Sequence, residues 1–225
     1  FAASDDLRLI DLTPAFTEAW TRTSDLPDAG GAAAFPREFA KTLPGFYAPE
    51  RVRAAPERYD AHLLGGLKRF PERRAGMEAV SARFGVMFEP ARRSFEARFG
   101  PMRGYPPLYL VNSLGEFDGG TRELPEGVRL MFGADVIARL YKDKPIQPFF
   151  HHELFHLMHD RTFPECEKVW CSLWGEGLAV YVSAKLNREA DEEALMLTIP
   201  APLGPAVQNN KQEAVCAVVA RLDSE

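Results

Sequence analysis

Apolar residues recur at helical spacing through most of the first hundred positions, with polar residues filling the positions between them. Thr13-Pro14 ahead of Ala15 to Thr23 reads as a capped helix start, with Thr13 at the N-cap and Pro14 at the first helical position. Ala29-Gly-Gly-Ala-Ala-Ala34 lacks both bulk and period and reads as a flexible loop. Helical spacing resumes from Phe35 to Leu43 and stops at Pro44-Gly45. Three more amphipathic helices are predicted over Pro56 to Phe70, Arg73 to Phe84 and Glu89 to Phe99, punctuated by Pro71, Gly85 and Gly100.

The pattern changes near Gly100. Leu108 to Val111 is a short apolar run of strand formers, and Gly127 to Phe132 is a second, with a Gly-rich turn at Gly115 to Thr121 between them. Asp135 to Tyr141 reads as a short helix, and Pro145 and Pro148 break the chain before the next helical segment. The order of helices, a small strand region, then helices predicts an α+β fold, mainly helical, with a small sheet.

Length and charge narrow the picture. A chain of 225 residues fits a single domain over 1–225, with a helical part at 1–100 and a second part at 101–225. A formal net charge of -5, with no run of Lys or Arg set apart from acidic neighbours, excludes nucleic acid as an expected partner. No apolar stretch approaches the roughly 20 residues of a membrane helix, so no membrane span is expected. The sequence opens on Phe1 rather than methionine and reads as trimmed; a removed signal peptide, and hence export, would fit. The odd count of 3 cysteines argues against a disulfide framework. Cys166 and Cys171 could pair if a turn rather than helix separates them; free buried thiols are the other reading.

The segment Phe149 to His159 contains His152-Glu153-Leu154-Phe155-His156, an H-E-x-x-H motif. Residues four apart on a helix share a face, which lets both imidazoles reach one Zn²⁺ at roughly 2.0–2.1 Å. Glu153, beside the first ligand, can take a proton from an attacking water and pass it to a leaving amine. Downstream, Val169 to Tyr181 reads as a second helix containing Trp174-x-Glu176-Gly177-x-Ala179-x-Tyr181. A carboxylate at Glu176 among apolar neighbours would be costly to bury unpaired, and metal coordination would resolve that cost. Gly175 and Gly177 each weaken a helix, and close approach to the metal-binding helix is the expected reason for them. Arg161 to Pro164 supplies the reversal between the two helices.

These two motifs resemble the gluzincin metallopeptidases, whose two histidines and downstream glutamate bind zinc and whose motif glutamate is the general base. The resemblance implies metal ligands His152, His156 and Glu176, catalysis by Glu153, a zincin-like core from about residue 101, and a peptide or protein substrate. The spacing from His156 to Glu176 is similar to that of thermolysin-like enzymes, and the Glu-Gly-x-Ala wording is closer to the aminopeptidase branch. The whole layout looks like a bacterial family of predicted zinc-dependent proteases related to gliding-motility lipoproteins. That likeness also implies an alternative, a non-catalytic binding or assembly protein on a zincin scaffold. The sequence departs from thermolysin-like enzymes at Val180, where they carry an Asp that supports a ligand histidine, and it has no glycine-rich exopeptidase motif upstream.

Neighbouring residues carry paired expectations. Tyr181 either stabilises an oxyanion or packs, and Asp160 either holds the outer nitrogen of His156 or lies at the surface. His156 with His159 forms a rival ligand pair that would strand Glu153 and Glu176. His151 reads as a boundary residue, and His62 as structural. Val128 to Phe132 is either a substrate-binding edge strand or an ordinary interior strand.

Overall fold

The computed structural model describes residues 7–222 apart from 27, 53–54, 143, 164–165, 167, 196, 198–203 and 205–208. The fold is mainly helical with a small mixed sheet, in two compact units that interleave along the chain. Phe1–Gly85 and Met102–Lys142 form the first; Val86–Pro101 and Asp143–Glu225 form the second.

The first unit holds strands β1 (Leu9–Asp11), β2 (Leu108–Val111), β3 (Gly119–Leu124) and β4 (Gly127–Gly133), in the order β1-β2-β4-β3. β1, β2 and β4 are parallel, and β3 closes an antiparallel hairpin on β4. β4 is therefore an interior strand at Met131 and Phe132, paired on both sides, and the edge-strand reading of Val128 to Phe132 fails there. The predicted turn was too long: its last residues, Gly119 to Thr121, already belong to β3.

Helix α1 (Thr13–Thr23) begins at the predicted cap residue itself, and its N-cap is Leu12, one residue earlier. Asp11 does the capping, its Oδ1 accepting from the Thr13 amide at 2.9 Å and the Thr13 hydroxyl at 2.7 Å. The predicted loop at 29–34 is instead part of helix α2 (Asp28–Phe39). Gly31, Phe35 and Phe39 are buried at four-residue spacing, and a Cβ at Gly31 would lie 2.9 Å from the Thr23 carbonyl oxygen. Glycine there marks close helix approach, not flexibility. Phe16 of α1 centres the core, its ring 5.0 Å from Phe35 and 4.8 Å from Phe70.

After the short α3 (Pro49–Val52), the three predicted helices are one continuous helix, α4 (Pro56–Phe99), ending at Gly100 with φ +93°. Its buried stripe explains the continuity: Tyr59, Leu63, Leu67 and Phe70 before Pro71 and Met77, Val80 and Phe84 after it recur at three to four residues, and the seven-residue step between the two sets keeps them on one face. Proline removes the amide that would bond the carbonyl four residues back. That carbonyl, Leu67, accepts instead from the Trp20 indole at 3.1 Å. Gly85 has open space around its Cα and interrupts nothing. His62 lies exposed on this helix.

Helix α5 (Ala134–Leu140) follows β4. From its first turn Asp135 accepts the amides of Ser113 and Gly115, each at 2.7 Å, and so holds the turn in which Leu114 adopts φ +57°.

In the second unit the last part of α4 contributes buried Phe88, Ala91 and Phe95, and Phe88 meets Phe150 at 5.3 Å. Phe150 belongs to α6 (Gln147–His159), which packs on α7 (Val169–Leu186). The Thr162 and Phe163 amides bond the His159 carbonyl at 3.0 and 2.9 Å and begin the reversal; Pro164 lies outside the described residues. Cys166 and Cys171 form a disulfide joining the segment before α7 to its first turn. Cys216 is free and exposed in α8 (Lys211–Val219). Among the described residues no helix is long and apolar enough to cross a membrane.

Candidate metal centre

His152 and His156 project from consecutive turns of α6, and Glu176 reaches them from α7. The two Nε2 atoms are 2.9 Å apart, and the Glu176 oxygens lie 3.2 Å from His152 Nε2 and 3.4 Å from His156 Nε2. Ligand atoms on a tetrahedron with bonds of roughly 2.0–2.1 Å stand about 3.3 Å apart. The three ligand atoms, all within 4.8 Å of one another, therefore fit one face of a zinc tetrahedron in spacing and in chemistry.

Hydrogen bonds from His152 and then His156 hold the Glu176 carboxyl far below the ordinary carboxylate range. Burial pushes His156 down, but its hydrogen bond and charge attraction to Glu176 outweigh this and raise it above its ordinary value. A positive charge placed between the three groups would meet the same attraction.

Two supports expected from the sequence take a different form. The Glu176 side chain is 65% exposed, so relief of a buried carboxylate is not the reason for its position. A Cβ at Gly175 or Gly177 would meet nothing within 4 Å, so these glycines do not serve close helix contact. They leave open space on either side of Glu176. Trp170, Leu173, Trp174 and Tyr181 are exposed on the same helix, a largely apolar surface in water.

The remaining candidates sort by contact. Glu153 is buried, only 7% exposed, and its negative charge helps raise His156. Tyr181 is 58% exposed, with the Lys185 ammonium 5.2 Å over its ring, and no hydrogen bond joins its hydroxyl to the triad. His159 stacks between Phe155 and Phe163 and takes no part in the cluster. Asp160 lies 3.8 Å from His159 Nδ1 and acts on His156 only as a nearby charge.

His151 is no boundary residue. It is 2% exposed, with Nδ1 2.6 Å from the Asn187 amide nitrogen and Nε2 2.7 Å from Ser94 Oγ. Desolvation by burial lowers its pKa below the ordinary value. Asn187 and Ser183 were not singled out from sequence, although they follow Glu176 by seven and eleven residues in the order Ser183, Asn187. That spacing puts all three on one helix face, a polar recurrence that could have revealed them.

Comparison of the chain with protein-family models, with curated proteins and with solved structures returned no match.

Proposed function

We propose that this chain is a zinc-dependent metallopeptidase with a zincin-like core, holding the metal through His152, His156 and Glu176. The observation that supports this reading is the convergence of two imidazole nitrogens and one carboxylate from two helices at near-tetrahedral spacing. When bound, zinc supplies Lewis-acid polarisation of a peptide carbonyl and brings a water toward neutral pKa. Glu153 accepts the proton of the attacking water and returns it to the departing amine. Glu153 is buried, one residue from His152 in the same helix. Tyr181 is the candidate oxyanion donor, and it would act by swinging from its place under Lys185 toward the triad.

The test has two parts. Elemental analysis of protein purified without chelator should find about one zinc per chain, lost or greatly weakened in Glu176→Gln. On a peptide mixture read by mass spectrometry, Glu153→Gln should abolish cleavage while zinc stays bound. Wild type that takes up no zinc on addition, or full cleavage by Glu153→Gln, would sink the reading.

One observation favours a second function. Exposed Trp170, Leu173, Trp174 and Tyr181 form the kind of apolar surface that also serves protein partners. A zinc-loaded protein that cleaves no peptide in the mixture would move the assignment to a binding or assembly protein on the same scaffold.

A further inference from the structure

The helices α6 and α7 run antiparallel: the Ser183 hydroxyl donates to the Pro148 carbonyl at 2.7 Å, while Glu176 lies opposite His152 and His156. Pro148 is one turn before His152, and His151 is its neighbour. Ser183 on α7 and Asn187, the residue that caps its C-terminus, follow Glu176 by about two and three turns on the same side. Two hydrogen bonds thus join α6 to the C-terminal end of α7, from Ser183 about 10 Å and from Asn187 about 16 Å along the axis from Glu176.

The proton inventory of this cluster closes in one way. The Asn187 amide nitrogen donates to the Ser183 carbonyl at 2.7 Å, which fixes it as nitrogen rather than oxygen, and its other hydrogen goes to His151 Nδ1. His151 Nδ1 is then an acceptor, so Nε2 carries the hydrogen and donates to Ser94 Oγ. Ser94 in turn donates to the Ala91 carbonyl at 3.0 Å. Each group donates or accepts without conflict, and the chain of bonds fastens α6 both to α7 and to the last turns of α4.

We propose that Ser183 and Asn187, with His151, are positioning residues that set the axial register of Glu176 against His152 and His156. This rests on the metal-site reading above. A slip of one residue between helices moves Glu176 by about 1.5 Å, whereas a metal site tolerates roughly 0.2 Å. The buried residues of α7 are Cys171, Ala179 and Ser183, none with a large side chain to interlock with α6. The polar clamp supplies the missing definition.

The experiment measures zinc affinity by competition with a chromophoric chelator, alongside the thermal midpoint of the zinc-free protein. The chains compared are wild type, Ser183→Ala, Asn187→Ala and Ser183→Thr, with folding checked by circular dichroism. Ser183→Ala and Asn187→Ala should each weaken zinc binding by roughly 10- to 100-fold at a temperature where the apo protein stays folded. Ser183→Thr, which keeps the hydroxyl, should restore wild-type affinity. Alanine variants that melt earlier but bind zinc as tightly as wild type would overturn the clamp and leave the metal site standing. No zinc binding by wild type would overturn the metal site itself, and the clamp with it. Should Ser183→Ala fail to fold, Asn187→Ala, at the half-exposed end of α7, decides the question alone.

Discussion

Tyr59 carries a hydroxyl that is buried with no hydrogen-bond partner among the described residues. Burial raises its pKa from 10.0 to about 12. The folded state therefore holds the phenolic proton more tightly than the unfolded chain does. Its contribution is fully present below pH 10 and is lost as pH rises toward 12. Tyr59→Phe should remove this part of the alkaline decline in a pH series of urea denaturations. At neutral pH it should leave stability unchanged or raise it by about 1 kcal/mol, because an unpaired buried group is removed. Gly175 and Gly177 invite a second test of single side chains. Each sits in a helix with open space at its Cβ, so alanine should add about 1 kcal/mol to stability at either position. A stabilised Gly177→Ala that binds zinc but loses peptide cleavage would assign that open space to substrate. The triad was legible in sequence because its spacing is local to each helix. The argument for Glu176 from burial was wrong because exposure depends on what covers a helix, which no local pattern records. His151 stayed hidden because its partners, Ser94 and Asn187, lie far away in the chain.

At the scale of elements, helix interiors with an apolar period were legible, whereas helix limits and the Ala- and Gly-rich start of α2 were not. Proline and glycine were read as breaks at Pro71 and Gly85, yet the apolar stripe of α4 continues past both. The cost of Pro71 is reduced because Trp20 takes up the carbonyl that Pro71 leaves without an amide. Trp20→Phe keeps the aromatic contact with Phe70 but deletes that donor, and it should destabilise the protein by about 1–3 kcal/mol. Pro71→Ala returns an amide to Leu67. In that background the loss from Trp20→Phe should shrink, and a double-mutant cycle in urea would show the coupling. Additive losses would mean that the indole donor and the proline are unrelated. Strand β1 was missed for the converse reason: three residues carry no period of their own, and its partner β2 lies about a hundred positions away.

For the whole molecule, composition and element order gave the α+β class with a small sheet, and the arrangement in units was beyond their reach. The second unit takes Val86–Pro101 from the middle of residues that otherwise belong to the first. A chain ending at Lys142 contains all of the first unit, so it should keep the sheet. It also carries Phe88 and Phe95 without α6, the source of the Phe150 contact. Such a fragment should bind a hydrophobic dye that the full chain does not, and a fragment with no sheet signal or no dye binding would contradict this division. The interleaving also has a consequence in time. During synthesis the first unit becomes complete only when Lys142 has left the ribosome, long after the stretch at 86–101 has emerged. That stretch then waits, with its phenylalanines uncovered, until the two histidines and finally Glu176 are made. The His152, His156 and Glu176 cluster forms only after that wait, and the interval before it is when a chaperone would have the most to hold.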